Sequence, residues 1–259
     1  MRRRRKLPRR NFAEVINSDS LDVTREFSNL ADLVYQDGFY KTMESYFSIM
    51  PFKGLALDLD DFDRRNNFSF FAYKTVTIDD LLSFCEYVYN FGAIIREMWW
   101  LQEAESASRV CSHVEAVVNA AGHQLIPGNV GLYIAVPVGG WAQAAADSVT
   151  DEVSAVLLEY RYRGYERDLR AKARILADLS RELEPRRNDL ERLAGKATGN
   201  LFQGLNRWNI RHNNLDSAHK NYSEEFAALS DEEKEARYDA LYSLCCASFL
   251  LLDYADKLH

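Results

Sequence analysis

The sequence predicts a mainly α protein: a helical bundle with one short β-hairpin. Three observations carry that expectation. Apolar residues recur at steps of three and four along most of the chain, the spacing that lines one face of a helix. Glycine and proline are sparse, 12 and 5 among 259 residues, too few for a turn-rich β architecture. Only around Pro127-Gly128-Asn129 do two short apolar runs flank turn chemistry, the signal of a hairpin.

The length suits one large domain or two small ones, with core enough to need no disulfide or metal staple. A hydrophobic share of 47% with 12% aromatics argues against extensive disorder. Cys85, Cys111, Cys245 and Cys246 form no C-x-x-C pair and read as buried thiols in a reducing cytoplasm. No run of about 20 apolar residues occurs, so no membrane partner is expected.

The opening MRRRRKLPRR carries seven positive charges on a chain of net charge −7. Residues 1–10 form a basic arm without the apolar stretch of a signal peptide after it. The arm is either a contact for nucleic acid or an anionic surface, or a solubilising disordered terminus.

Residues from about 19 to 50 read as two helices. Leu21, Phe27, Leu30 and Val34 stand near helical spacing, and Asp37-Gly38 ends the first. FKGLALDLDDFDRRNNF then carries Asp58, Asp60, Asp61 and Asp63. The glycine and final glutamate of an EF-hand are missing at their offsets, so a solvated loop is expected rather than a metal site. NFSFFAYKTVTI reads as a short strand or an apolar lead-in.

Thr77 and Asp80 resemble a capping box, with Asp replacing Glu or Gln. Ile78, Leu81, Leu82, Cys85, Val88, Gly92, Ile95 and Trp99 continue a helix of about 28 residues, ~42 Å long. Met98-Trp99-Trp100 reads as core. A helix over roughly 108–121 leads into the hairpin near 123–137, with His123 structural at its edge. Gly128 and Gly131 make no phosphate loop, since no G-K-[ST] follows.

The remainder is helical. Val153, Val156, Leu157 and Tyr160, then Tyr165, Leu169, Ala173, Leu176 and Leu183, trace apolar faces on either side of Gly164, which marks a kink or junction. Pro185 opens a helix aligning Leu190, Leu193, Ala197, Leu201 and Leu205. Ser230 and Glu233 form a capping box for the last helix. Its segment ALYSLCCASFLLL is apolar almost all round, fit for the centre of a bundle or burial by a second subunit.

Between those last long helices lies NRWNIRHNNLDSAHKN, residues 206–221, with two arginines, two of the chain's five histidines and five asparagines. One reading is a polar helix end. Asn213-Asn214 suits a left-handed cap, and Arg and His suit the helix dipole there. The other is phosphate chemistry. A guanidinium clamps phosphate oxygens, and an imidazole titrating near neutrality moves the proton of a ribose 2′-hydroxyl. Neither needs a cofactor or a metal.

This cluster, the helical pairs before it and the apolar last helix resemble the HEPN superfamily of helical ribonucleases, which includes abortive-infection and toxin proteins. The resemblance covers about residues 150–259. Its pattern is R-x(4–6)-H, often with a polar residue after the arginine. Arg207 and His212 have four residues between them, but Trp208 follows the arginine. Arg211 is followed by polar His212 and Asn213, but seven residues separate it from His219, one more than the pattern allows. The block IRHNN favours Arg211, His212 and Asn213 as site residues, with Arg207 and His219 beside them.

What the resemblance implies is a metal-independent endoribonuclease of a bacterial phage-defence or toxin–antitoxin system. Its partners would be RNA, a second copy of the chain with the last helices near the interface, and an antitoxin or defence-system protein. The alternative is a non-catalytic helical sensor or adaptor binding RNA or protein. The expected division is an arm (1–10), an N-terminal helical region with the hairpin (11–149) and the HEPN-like bundle (150–259).

Overall fold

A computed structural model describes residues 21–36, 76–97, 104–128 and 131–258, with the single positions 39, 41, 42, 45 and 61. The basic arm, the acidic segment apart from Asp61, the NFSFFAYK lead-in and the Met98-Trp99-Trp100 cluster lie outside the described residues. So does most of the segment expected to hold a second helix before Met50. The described chain is mainly helical, with one two-stranded antiparallel hairpin. It divides into two compact units, Met1–Ala121 and Gly122–His259.

In the first unit α1 (Val23–Gln36), α2 (Ile78–Glu97) and α3 (Ala104–Ala120) pack together. The expected capping box opens α2. Asp80 N–H donates to Thr77 Oγ1 at 3.2 Å, and Thr77 N–H donates to Asp80 Oδ2 at 2.8 Å. The described part of α2 spans 20 residues, and the rest of the expected length runs outside the described residues. Leu81, Phe84, Val88, Phe91 and Ile95 are buried, each contributing about 1.5–3 kcal/mol. Gly92 lets α3 come close, because a Cβ there would collide with Cys111 Sγ.

The second unit begins with β1 (His123–Pro127) and β2 (Tyr133–Pro137), registered from His123 opposite Pro137 to Pro127 opposite Tyr133. Six helices follow before the last: α4 (Gly140–Ala146), α5 (Asp151–Glu159), α6 (Leu169–Leu183), α7 (Arg187–Ala194), α8 (Lys196–Arg207) and the single turn α9 (Glu224–Ala227). The 27-residue α10 (Asp231–Lys257) closes the chain.

The second unit begins at Gly122, so the hairpin expected with the region before residue 149 is grouped with the helices that follow it. The physical reason is shared burial. Ile126, Ile134 and Val136 of the hairpin join the same core as Leu157, Leu176 and Cys245. Arg161 Nη1 also donates to the carbonyls of Pro137 and Gly139, at 3.1 and 2.8 Å. The hairpin is a lid on the bundle's own core.

Two expected helices are interrupted. Gly164 marks a junction, a single 3-10 turn over Arg163–Tyr165 between α5 and α6. The helix expected from Pro185 is two, α7 and α8, parted at Gly195 with φ 51° and ψ −116°. That conformation is open to glycine and strained for other residues. Thr198 ties the halves, its hydroxyl donating to Leu190 O at 2.8 Å.

α10 starts in a full capping box formed by Ser230 and Glu233. It packs against α4, α6, α7 and α8 and buries Leu241, Cys245, Cys246 and Phe249. Tyr242 stacks on Tyr160 with ring centroids 4.0 Å apart, and its hydroxyl donates to Leu157 O at 2.7 Å. Toward its N-terminal end, Lys172 of α6 meets Glu235 at 2.7 Å and Asp239 at 2.8 Å. Lys172 and the Arg167 backbone N–H hold the Glu235 carboxyl below its ordinary range.

Two outcomes are expected. Gly195→Ala should lower stability by about 1–3 kcal/mol. Gly199→Ala should raise it by up to about 1 kcal/mol, since nothing lies within 4 Å of a Cβ in that helical position. Urea unfolding of both variants measures this contrast. The Glu235 contribution is complete above the unfolded pKa of about 4.3 and fades as pH falls through the lower folded value. Glu235→Gln should therefore flatten the acid limb of a Tm-against-pH curve.

Candidate functional site

The polar run starts where α8 stops. Trp208 caps the helix with its N–H on Gly204 O at 3.0 Å. Its ring lies against Gly204, where a Cβ would come within 3.1–3.2 Å of ring atoms. Asn209 takes the left-handed conformation, φ 55°, which asparagine tolerates better than most residues. Arg211 N–H then donates back to Leu205 O at 3.2 Å. The left-handed residue is therefore Asn209, not Asn213 or Asn214, and Arg207 and Arg211 do not share a helix face.

Asn214 organises the loop that follows. It is 1% exposed, so each of its polar atoms needs a partner. Asn209 N–H donates to its Oδ1 at 2.8 Å, and its own N–H donates to Asn209 Oδ1 at 3.1 Å. Its Nδ2 donates to Asn221 O, and its carbonyl accepts from Ser223 N–H at 3.0 Å. One asparagine thus joins the helix end, the far side of the loop and the start of α9.

The five expected site residues divide. Arg211 turns to α6's end: its Nη2 lies 2.5 Å from Glu184 Oε2 and its Nη1 donates to Asn206 Oδ1 at 3.3 Å. The Glu184 contact is an ion pair without hydrogen-bond alignment, since Oε2 has no hydrogen-bonding donor. Asn213 Oδ1 accepts from the backbone N–H groups of Leu215 and Asp216, at 3.3 and 3.2 Å, a local turn. His219 Nδ1 accepts from Asn221 N–H at 3.3 Å, which leaves Nε2 to carry the proton of the neutral ring.

Arg207 and His212 come together. Both are exposed, and both line an open groove of about 550 Å³ with Lys220, Tyr222 and Glu224. Arg211, Asn213 and His219 do not line it. Arg207 arrives on the last turn of α8 and His212 from the loop braced by Asn214. Lys220 is the third nitrogen-bearing side chain that lines the groove. Spacing did not single it out, because only the return of the loop brings it to the groove that Arg207 lines.

The thiols offer no nucleophile. All four cysteines are buried, and burial pushes the Cys111 thiol up to about 11 and those of Cys245 and Cys246 upward as well. A buried thiol with raised pKa is inert. Among the described residues, no group of three or more His, Cys, Asp or Glu is placed to hold a metal ion. Among them too, no helix is long and apolar enough to cross a membrane. No family model, curated protein or solved structure matches the chain.

The loop's dependence on one side chain is testable. Asn214→Ala leaves the Asn209 N–H and the Asn221 carbonyl without their side-chain partner and should cost about 1–3 kcal/mol. Amide hydrogen exchange should accelerate across 209–223 while α10 keeps its protection.

Proposed function

We propose that the protein is a metal-independent endoribonuclease whose site is the Arg207–His212 groove. The observation that carries this reading is the convergence of that pair. A guanidinium and an imidazole with four residues between them line the same open groove, the combination that phosphate binding and proton transfer require. The spacing is also that of the R-x(4–6)-H pattern noted in the sequence.

In this scheme Arg207 and Lys220 hold the non-bridging oxygens of the scissile phosphate. His212 takes the proton of the 2′-hydroxyl, and the 2′-oxygen attacks phosphorus. The bond to the 5′-oxygen breaks, and that oxygen leaves with a proton from solvent, to which the groove is open. The products are a 2′,3′-cyclic phosphate and a 5′-hydroxyl. Arg211, bound to Glu184, acts as a positioning residue for the loop. A role in phage defence or toxin–antitoxin control, a homodimer and an antitoxin partner belong to the same proposal and rest on the family resemblance.

A second reading is a helical adaptor that binds RNA or a protein partner without cutting. One observation favours it: a single imidazole, His212, lines the groove, with His219 engaged at Asn221.

Cleavage of end-labelled RNA in EDTA separates the two. Under the nuclease reading, His212→Ala and Arg207→Ala each lower kcat by about 10²- to 10⁴-fold with the fold intact. Arg211→Ala should lower Tm and reduce the rate less than either. RNA binding without cleavage by the folded wild type would move the assignment to the adaptor.

A further inference from the structure

A second cavity, of about 340 Å³, adjoins the groove. The two share Arg207, Ser223 and Glu225, so a ligand bound at Arg207 reaches both. The volume falls in the ordinary range for small-molecule sites. Its chemistry differs from that of the phosphate wall. Phe226, Leu229 and Leu244 provide an apolar lining, while Asn200 and Gln203 bring amide groups from α8. Trp208 and Arg237 line it as well, and the Arg237 guanidinium carbon lies 5.3 Å over the Trp208 ring.

We infer that this cavity takes one nucleobase of a single-stranded RNA, next to the phosphate held at Arg207. The inference deepens the ribonuclease reading and rests on it for the identity of the ligand. A base is a flat apolar ring with a polar edge. The cavity supplies both counterparts: apolar side chains and a guanidinium plane for the ring faces, amides and the Glu225 carboxylate for the edge. Stacking on aromatic or arginine planes is how unpaired bases are held. Gln and Asn side chains pair with base edges by donating and accepting together. Glu225 only accepts, so an edge that carries an amino group suits the site. A base inside a duplex is stacked and paired on those same surfaces, which restricts the site to unpaired nucleotides.

The shared residues set the geometry. Arg207 stands at the junction, so phosphate and base are read as neighbours on one strand. The platform also depends on α10, since Arg237 is the side chain that α10 contributes over Trp208. Sequence spacing could not have joined them: Trp208 and Arg237 stand on either side of the whole 209–223 loop.

The test compares AMP with ribose 5-phosphate, which differ by the base alone. The readout is the indole N–H resonance of Trp208, assigned by its loss in Trp208→Phe, in a titration of the full chain. AMP should bind about tenfold more tightly than ribose 5-phosphate, and Arg237→Ala and Gln203→Ala should each shrink that ratio toward one. Gln203 is exposed on α8, so its variant separates recognition from folding. Equal affinities in the wild type, no binding of either ligand, or a ratio unchanged in both variants would overturn the base site. Cleavage plays no part in this readout. A protein that discriminates AMP but never cuts RNA keeps the base site and loses the nuclease; one that cuts RNA without discriminating keeps the nuclease and loses the base site.

Discussion

The second unit depends on the burial of one helix. α10 is 27 residues long and apolar around most of its middle, so it cannot stand in water. α4, α6, α7 and α8 cover it, and the hairpin joins the same core. The other elements take their places from that requirement. α7 and α8 bend apart at Gly195 where the chain continues across the core. The cationic pairs sit where α10 surfaces: Lys172 lies against Glu235 and Asp239, and Arg186 against Asp256 at 2.8 Å. The exposed Arg186–Asp256 pair adds little energy, whereas Lys172 is buried, so its two carboxylates compensate the burial of its charge.

The candidate site is the by-product of a connection. α8 ends against α10, and the chain needs the 208–223 loop to reach the start of α9. A polar loop with so many asparagines would be mobile if its hydrogen bonds went to water. Burying Asn214 gives those bonds internal partners and makes the loop a scaffold. Arg211 is drawn into the same scaffold through Glu184. Arg207, His212 and Lys220 stand exposed on the groove beside it. A loop braced at a helix end holds its backbone in one geometry, which a functional site on it would require.

The groove's charge is mixed rather than uniformly basic. Glu224 and Glu225 face the same space as Arg207 and Lys220. A strongly cationic surface binds any phosphate backbone through counterion release. A mixed lining weakens such non-specific binding, so recognition there would rest on geometry rather than on net charge.

The sequence by itself determined the fold class, the hairpin, the capping boxes at Thr77 and Ser230 and the central place of the last helix. Each rests on local information: spacing along one strand of chain, or a cap within three residues of its partner. The sequence also located the polar stretch, and the four-residue gap between Arg207 and His212 was readable in it. What it could not decide was which arginine lines the groove. Arg211 looked the better candidate beside His212 and Asn213. Its fate was set by Glu184, which lies at the far end of another helix. The helix boundary at Gly195, the hairpin's allegiance to the second unit and the meeting of Trp208 with Arg237 were hidden for the same reason. Each is fixed by contacts between residues distant in the chain, and only tertiary packing on α10 brings them together.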